Sequence, residues 1–377
     1  MVYLDNSATT PLMPEVHEVM SRVLHEVYAN PSSPHTLGEQ ANQIIIRAQA
    51  TIARHLSCNP GEICFTSGGT EANNLAIQGI AYAYKNRGRH LITTKVEHAS
   101  VYEVFQALEQ DGFAVTYLDV DTEGCISIQD LQAAIRDDTI LVSLIHVNNE
   151  LGSVQPIAEV GRILKEYRQL FYHVDAVQSF AKLKLHPADL GIDLLTISAH
   201  KFGGPKGIGC LYKRKNMRLK PLMYGGGDLL RPGTPVVASV AGMAQALILA
   251  AAKTDTFLVQ AARLRKMILM NLEKLPYCWK LNGHPTNNRF VPYIFNLSFP
   301  GIRAEVMVNA LAAEGVIVSS KAACSSKLAG SSRVLKAIGV SEEDAESAIR
   351  ISIGCHNDET DIRAFIEAID RVLAKLS

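Results

Sequence analysis

Between His90 and Val174 the chain alternates apolar runs with amphipathic ones, and that alternation limits the fold more than any other feature. The runs 90–96, 114–120, 140–147 and 170–174 predict buried strands, and 99–109, 128–135 and 157–167 between them predict helices. Alternating β and α units with continuously apolar strands imply an α/β fold, a mainly parallel sheet covered by helices on both faces. In such sheets the ligand lies beyond the carboxyl ends of the strands. His98, Asn148-Asn149-Glu150, Asp175 and the run Ser198 to Lys201 all follow predicted strands, so one face collects them.

Lys201 is the most suggestive of these. It follows the apolar run Leu194 to Ile197 and opens the glycine-rich stretch Phe202-Gly203-Gly204-Pro205-Lys206-Gly207. A strand end of this kind holds an amine still while glycines let the backbone close around a ligand. Desolvation would lower the lysine pKa and free its lone pair for a carbonyl, which makes Lys201 a candidate Schiff-base former; taken singly, it also fits a solvated lysine beside a turn. Earlier in the chain a strand at 62–66, the turn Ser67-Gly68-Gly69-Thr70 and a helix from Glu71 to Tyr84 form a candidate phosphate cup. Its glycines admit backbone N–H groups to an anion, the helix start adds positive potential and Thr70 adds a hydroxyl. Thr70 as a plain helix cap is the competing reading. Asp175 ends a strand that should be buried, so its carboxylate needs a cationic or hydrogen-bonding partner. Taken singly, His98 reads rather as a surface histidine ahead of a helix and Asn149 as a turn former.

Two further candidates lie late in the chain. The segment Ser319 to Ser332 is small, polar and glycine-containing, hence a mobile surface loop, and Cys324 sits near its middle between Lys321 and Lys327, which should lower its thiol pKa. Arg350 lies inside the apolar run 348–353 and must pair with an anion, either a structural carboxylate or a bound one. At 377 residues, 47% of them hydrophobic, the chain is long enough for two domains. The expected division is a large domain over 14–255 and a small one made of 1–13 and 256–377, the latter carrying the Cys324 loop. Basic and acidic residues balance at 37 each, so no global field favours nucleic acid or a membrane surface. No apolar run reaches a membrane span and Met1 leads straight into Val2-Tyr3-Leu4-Asp5, so a cytoplasmic protein is expected. Seven scattered cysteines without a Cys-x-x-Cys pair suggest neither disulfides nor a metal site.

The motifs Tyr3-Leu4-Asp5-Asn6-Ser7-Ala8-Thr9-Thr10, Asn30-Pro31-Ser32-Ser33, the run Thr66 to Asn74, Glu97-His98, Val147-Asn148-Asn149-Glu150, His173 to Gln178, Ser198-Ala199-His200-Lys201 and Ile349-Arg350 come in one order from end to end. In them the chain resembles the pyridoxal-phosphate-dependent cysteine desulfurases of the nitrogen-fixation and housekeeping type, within the class V aminotransferases. The resemblance implies a fold-type-I, aspartate aminotransferase-like architecture, a homodimer, and pyridoxal 5'-phosphate as cofactor. It implies that Lys201 carries the cofactor as a Schiff base, Asp175 pairs with its ring nitrogen, His98 stacks on the ring and acts in acid–base steps, and Gln178 reaches the ring oxygen. Gly69, Thr70, Ser198 and His200 would hold the phosphate with Thr234 from the other subunit, Asn149 and Arg350 would bind the substrate carboxylate, and Cys324 would be the nucleophile. The reaction implied is L-cysteine to L-alanine, with sulfur carried as a Cys324 persulfide to an acceptor protein for iron–sulfur cluster assembly or for tRNA or cofactor thiolation, without direct contact to nucleic acid. Three departures stand out: Lys321 where a glycine is usual, Arg333 where the motif has histidine, and a shortened segment from Asp228 to Thr234. A transaminase or selenocysteine lyase on the same fold, and a low-activity docking protein, are the alternatives.

Overall fold

The computed structural model describes residues 1–283, 289–320 and 332–376. Its centre is a seven-stranded sheet built from β2 (Ile63–Thr66), β3 (His90–Thr94), β4 (Ala114–Leu118), β5 (Thr139–Ile145), β6 (Phe171–Asp175), β7 (Leu194–Ser198) and β8 (Gly209–Lys213), in the order β2-β8-β7-β6-β5-β3-β4. β1 (Val2–Tyr3) belongs elsewhere. The neighbours from β7 to β4 run parallel, and β8 alone reverses, pairing antiparallel with both β2 and β7. The expected mainly parallel α/β sheet is therefore present, with one antiparallel strand that returns the chain directly after the Lys201 turn.

The strands in the middle of the sheet are buried on both faces, which is why they are mostly apolar without alternating; the polar Ser143, His173 and Thr196 within them satisfy one another across β5, β6 and β7. On the faces lie α1 (Pro14–Glu26), α2 (Thr36–Leu56), α3 (Gly69–Tyr84) and α4 (Ala99–Gln110), together with the apolar helix Val237–Ala252, which packs on α1 and α2. Element ends differ from the expected ones by up to three residues. The strand expected to reach Val96 stops at Thr94, because Thr94 Oγ1 turns the chain by accepting from Val96 N–H and donating to the Glu97 carboxyl. The helix expected from Glu71 begins two residues earlier, at Gly69.

A second unit holds the antiparallel sheet β12-β10-β9, with β9 (Lys280–Asn282), β10 (Ile294–Ser298) and β12 (Ala348–Ser352), and the helices Thr254–Leu272, Ala304–Ala313 and Glu359–Leu376. β1 pairs parallel with β11 (Val316–Ile317), so the amino terminus is stitched to this unit. Its core gathers Leu4, Phe257, Leu264, Phe295, Leu311, Ile351, Phe365 and Ile369, separate from the clusters on the two faces of the large sheet. Among the described residues, no single helix is long and apolar enough to cross a membrane.

Candidate active site

The register of the central strands sets the site. Ile145 pairs with Asp175, and Asp175 with Thr196, so the carboxyl ends of β5, β6 and β7 lie side by side. Into the cleft beyond them open Gly69, Thr70, His98, Asn149, Asp175, Gln178, Ser198, His200, Lys201 and Arg350, which line one cavity of about 140 Å³. Ten residues expected from widely separated motifs therefore meet. Thr234 is exposed and does not line this cavity. Cys324 lies outside the described residues.

Each side chain is set by the element that carries it. Lys201 closes a short 3-10 turn directly after β7, and its Nζ donates to the carbonyls of Ser7 at 2.6 Å and Ala8 at 2.8 Å. Thr10 laces the same turn, donating from its N–H and its hydroxyl to the His200 carbonyl and accepting from Gly203 N–H. The amino-terminal segment thus forms one wall. Asp175, at the end of β6, is 3% exposed; Oδ1 accepts from Val177 N–H and Oδ2 from the Asn73 amide, both at 2.9 Å. Burial pushes its carboxyl upward, while those two bonds and the Lys201 charge pull it down.

His98 caps α4. Its Nδ1 accepts from Ser100 N–H at 3.1 Å and lies 2.8 Å from the Ser100 hydroxyl. With Nδ1 accepting, the ring proton sits on Nε2. Burial, with the positive charges of Lys201, Arg333 and Arg350, lowers the ring to about 4, so it is neutral at physiological pH. The Asn73 amide also donates to Ser100 Oγ at 2.9 Å, which joins Asp175, Asn73, Ser100 and His98 into one chain of hydrogen bonds. Asn73 and Ser100 also line the cavity, and neither was expected there from sequence. The signal in the sequence is an asparagine beside the apolar residues Ala72, Leu75 and Ala76 of α3, and in the fold it is 1% exposed.

The phosphate end resembles the expected cup. Gly68 has φ 155° and ψ −175°, backbone that is essentially restricted to glycine. A Cβ on Gly69 would come within 2.9 Å of Val177 Cγ2, so Gly69 lets the start of α3 approach β6 and β7. Opposite, Arg350 is 1% exposed; Nη2 donates to Asp5 Oδ1 at 2.7 Å and Nη1 to the Asn149 carbonyl at 3.1 Å, while its buried Nε has no partner among the described residues. The sequence left a structural and a bound carboxylate equally open. The structure supplies the first in Asp5 and keeps a donor in hand.

These residues fit pyridoxal phosphate. The amine, the buried carboxylate, the imidazole and a glycine-led helix start face one small cleft, and the buried Gln178 Oε1 has no partner among the described residues, its Nε2 being taken up by Ser7. The larger neighbouring cavity, about 330 Å³, shares Lys201 but is walled mainly by apolar groups such as Leu12, Met13, Phe202 and Phe257.

Just ahead of His98, Glu97 is buried. Oε1 accepts from the Thr94 hydroxyl and Ile145 N–H, and Oε2 has no partner among the described residues. Burial raises its carboxyl from 4.5 to about 8, so Glu97 is neutral in the fold at physiological pH. The folded state then holds a proton that the unfolded chain has lost across that window. Stability from this group is complete below the window and declines as pH rises through it. Glu97→Gln, neutral at every pH, is expected to flatten that decline. Urea melts at about pH 6 and about pH 9 check it, and an unchanged slope would mean that the carboxyl is ionised.

Comparison with known proteins agrees with this geometry. The model of the aminotransferase class-V family matches residues 2–365. The cysteine desulfurase IscS of Dictyoglomus turgidum is 43% identical over 377 residues, covering 100% of this chain and 95% of that protein. The IscS of Methanosarcina thermophila is 41% identical over 100% of this chain and 92% of its own length. Among solved structures, a NifS-like protein superposes with a TM-score of 0.93 at 35% identity, covering 100% of both chains. SspA in complex with cysteine does so with a TM-score of 0.83 at 36% identity, over 94% of this chain and 99% of that one. Likeness of this extent, running through both units of the fold, makes the chain a member of the IscS/NifS family of pyridoxal-phosphate-dependent cysteine desulfurases.

Proposed function

We propose that the protein converts L-cysteine to L-alanine and takes the sulfur onto Cys324 as a persulfide for delivery to an acceptor protein. The observation that carries this reading is the meeting of Lys201, Asp175, His98, Asn149 and Arg350 in one cleft at the carboxyl edge of the sheet. The SspA structure with bound cysteine supports the choice of substrate.

Lys201, Asp175, Gln178, His98, Gly69, Thr70, Ser198 and His200 would hold the cofactor, which supplies an electron sink that acidifies the substrate α-proton and weakens the Cβ–S bond. Arg350 and Asn149 grip the substrate carboxylate, Arg350 through the Nε donor that Asp5 leaves free. The Lys201 amine takes the α-proton and returns it, moving between the substrate and the carbonyls of Ser7 and Ala8. Asp175 holds a negative charge fixed by Asn73 and Val177. His98 covers the cleft as a neutral ring. The Cys324 thiolate attacks the substrate sulfur; the S–S bond forms as Cβ–S breaks, and the electron pair passes to the carbon fragment, which is protonated and leaves as alanine.

A homodimer suits the exposed Leu24, Tyr28, Ile46 and Ile248 on α1, its following turn, α2 and the helix Val237–Ala252, apolar groups that a second copy would cover. In that dimer Thr234 would complete the phosphate site of the partner. The separate cores support a large domain over 14–255 and a small one from 1–13 and 256–377. A cytoplasmic sulfur acceptor, for cluster assembly or thiolation, completes the reading.

The test is Cys324→Ser in the purified holoenzyme. With L-cysteine the parent should yield alanine and a Cys324-bound persulfide in equal amounts, and the variant should lose both at least about 100-fold. Alanine formation that survives in Cys324→Ser would overturn the reading in favour of a lyase or transaminase.

A further inference from the structure

Arg333 stands one residue into the helix Arg333–Ala337, and that helix is firmly set. Ser332 caps it, accepting from Leu335 N–H at 3.2 Å, and donates its hydroxyl to the Glu150 carboxyl at 2.6 Å in a buried contact. From this base the Arg333 guanidinium reaches the turn that connects β3 to α4. Nη1 donates to the Lys95 carbonyl and Nη2 to the Glu97 carbonyl at 2.6 Å, while the guanidinium carbon lies 3.7 Å from the centre of the Tyr102 ring on α4. The Glu97 carbonyl belongs to the peptide bond that leads into His98. One planar cation therefore grips both ends of the turn and the first part of the helix that His98 caps, which two parallel donors do and a single ammonium does not.

We propose that Arg333 is a positioning residue for His98, fixing the turn that aims the imidazole into the cleft and the contact from Ser100 N–H to Nδ1 that leaves the ring proton on Nε2. The charged groups around the ring come from several elements: Lys201 after β7, Arg350 on β12 and Arg333 itself, with Asp175 on β6 linked to it through Asn73 and Ser100. Glu97, on the same turn, is neutral in the fold at physiological pH and supplies no counter-charge. Three cations without a facing carboxylate on the turn disfavour an imidazolium, and Arg333 is the one that lines no part of the cavity. Its removal therefore alters His98 without removing a group that touches substrate. The kinetic consequence rests on the role proposed above for His98; the placement and charge state of the ring do not.

The experiment follows the imidazole resonances of histidine-labelled holoenzyme against pH, with His98→Gln identifying the His98 signal, in the parent, Arg333→Gln and Arg333→Lys. In Arg333→Gln the His98 titration should move up by about one pH unit, and the acidic limb of kcat/KM should move with it. Arg333→Lys keeps the charge, so its titration should stay near that of the parent while kcat falls about tenfold through loss of the double carbonyl grip. A parental titration in Arg333→Gln together with a parental kcat in Arg333→Lys overturns the proposal. If Arg333→Gln does not fold, the kcat of Arg333→Lys decides alone. A shift in titration without any kinetic change leaves the positioning role standing and refutes the role given to His98.

Discussion

Replacing Lys201 with alanine is expected to leave a folded protein with no more than about a thousandth of the parental turnover. Lys201 supplies the one amine that lines the cleft among the described residues. Its place after β7 is held by the strand pairing on both sides of β7 and by the Thr10 lacing, neither of which depends on its side chain. Lys182, on the neighbouring cavity, does not take over. Its Nζ lies 4.7 Å from the Tyr293 ring centre and faces that cavity, although burial and the Lys201 charge lower it to about 7 and make it a capable base. The structural cost is modest. The Ser7 and Ala8 carbonyls lose a donor, about 1–3 kcal/mol if water does not replace it. Alanine release at saturating L-cysteine, with a thermal melt of the same sample, checks both halves. Turnover above about a tenth of the parental value would remove Lys201 from the chemistry.

Asp175→Asn should be nearly as damaging to the reaction, lowering kcat roughly 100-fold or more while preserving the fold. The side chain accepts two hydrogen bonds, from Val177 N–H and from the Asn73 amide. An asparagine keeps its carbonyl for Val177 and turns its NH₂ toward Asn73. Asn73 can answer, because its Oδ1 is buried without a partner among the described residues and a turn of the amide presents it, at the expense of the bond its Nδ2 donates to Ser100. What is lost besides is the negative charge. Burial already opposes that charge, so the site keeps it only through the two bonds and the nearby Lys201. Steady-state rates beside urea melts separate the outcomes. A folded variant with parental kcat would show that the charge is not used, and an unfolded one that Asp175 is a structural group.

Much of this is legible in the sequence. The strand and helix periods placed all seven strands of the large sheet, the run Gly207 to Lys213 among them, and the residues after those strands are the ones that meet in the cleft. They are readable because a strand end is a local event: a burial pattern stops, a polar residue or glycine follows, and chain order alone puts it on the carboxyl edge. His98 illustrates the limit. As a surface histidine ahead of a helix it reads as ordinary, and it does cap that helix, yet it also lines the cleft under the charges of Lys201 and Arg350 from other elements.

The periods in the chain by themselves determined a parallel α/β core, its carboxyl-edge cleft and the lysine, aspartate and histidine that occupy it. Only the tertiary structure decided the partners. Arg350 meets Asp5 across 345 residues, Asn73 joins Asp175 across 102, and Arg333 takes the carbonyls of Lys95 and Glu97 from more than 230 residues away. Periodicity reports which face of an element is buried and not what lies opposite it. A buried polar group must be satisfied by whatever packing brings near, and that is set by the whole fold rather than by neighbours in sequence.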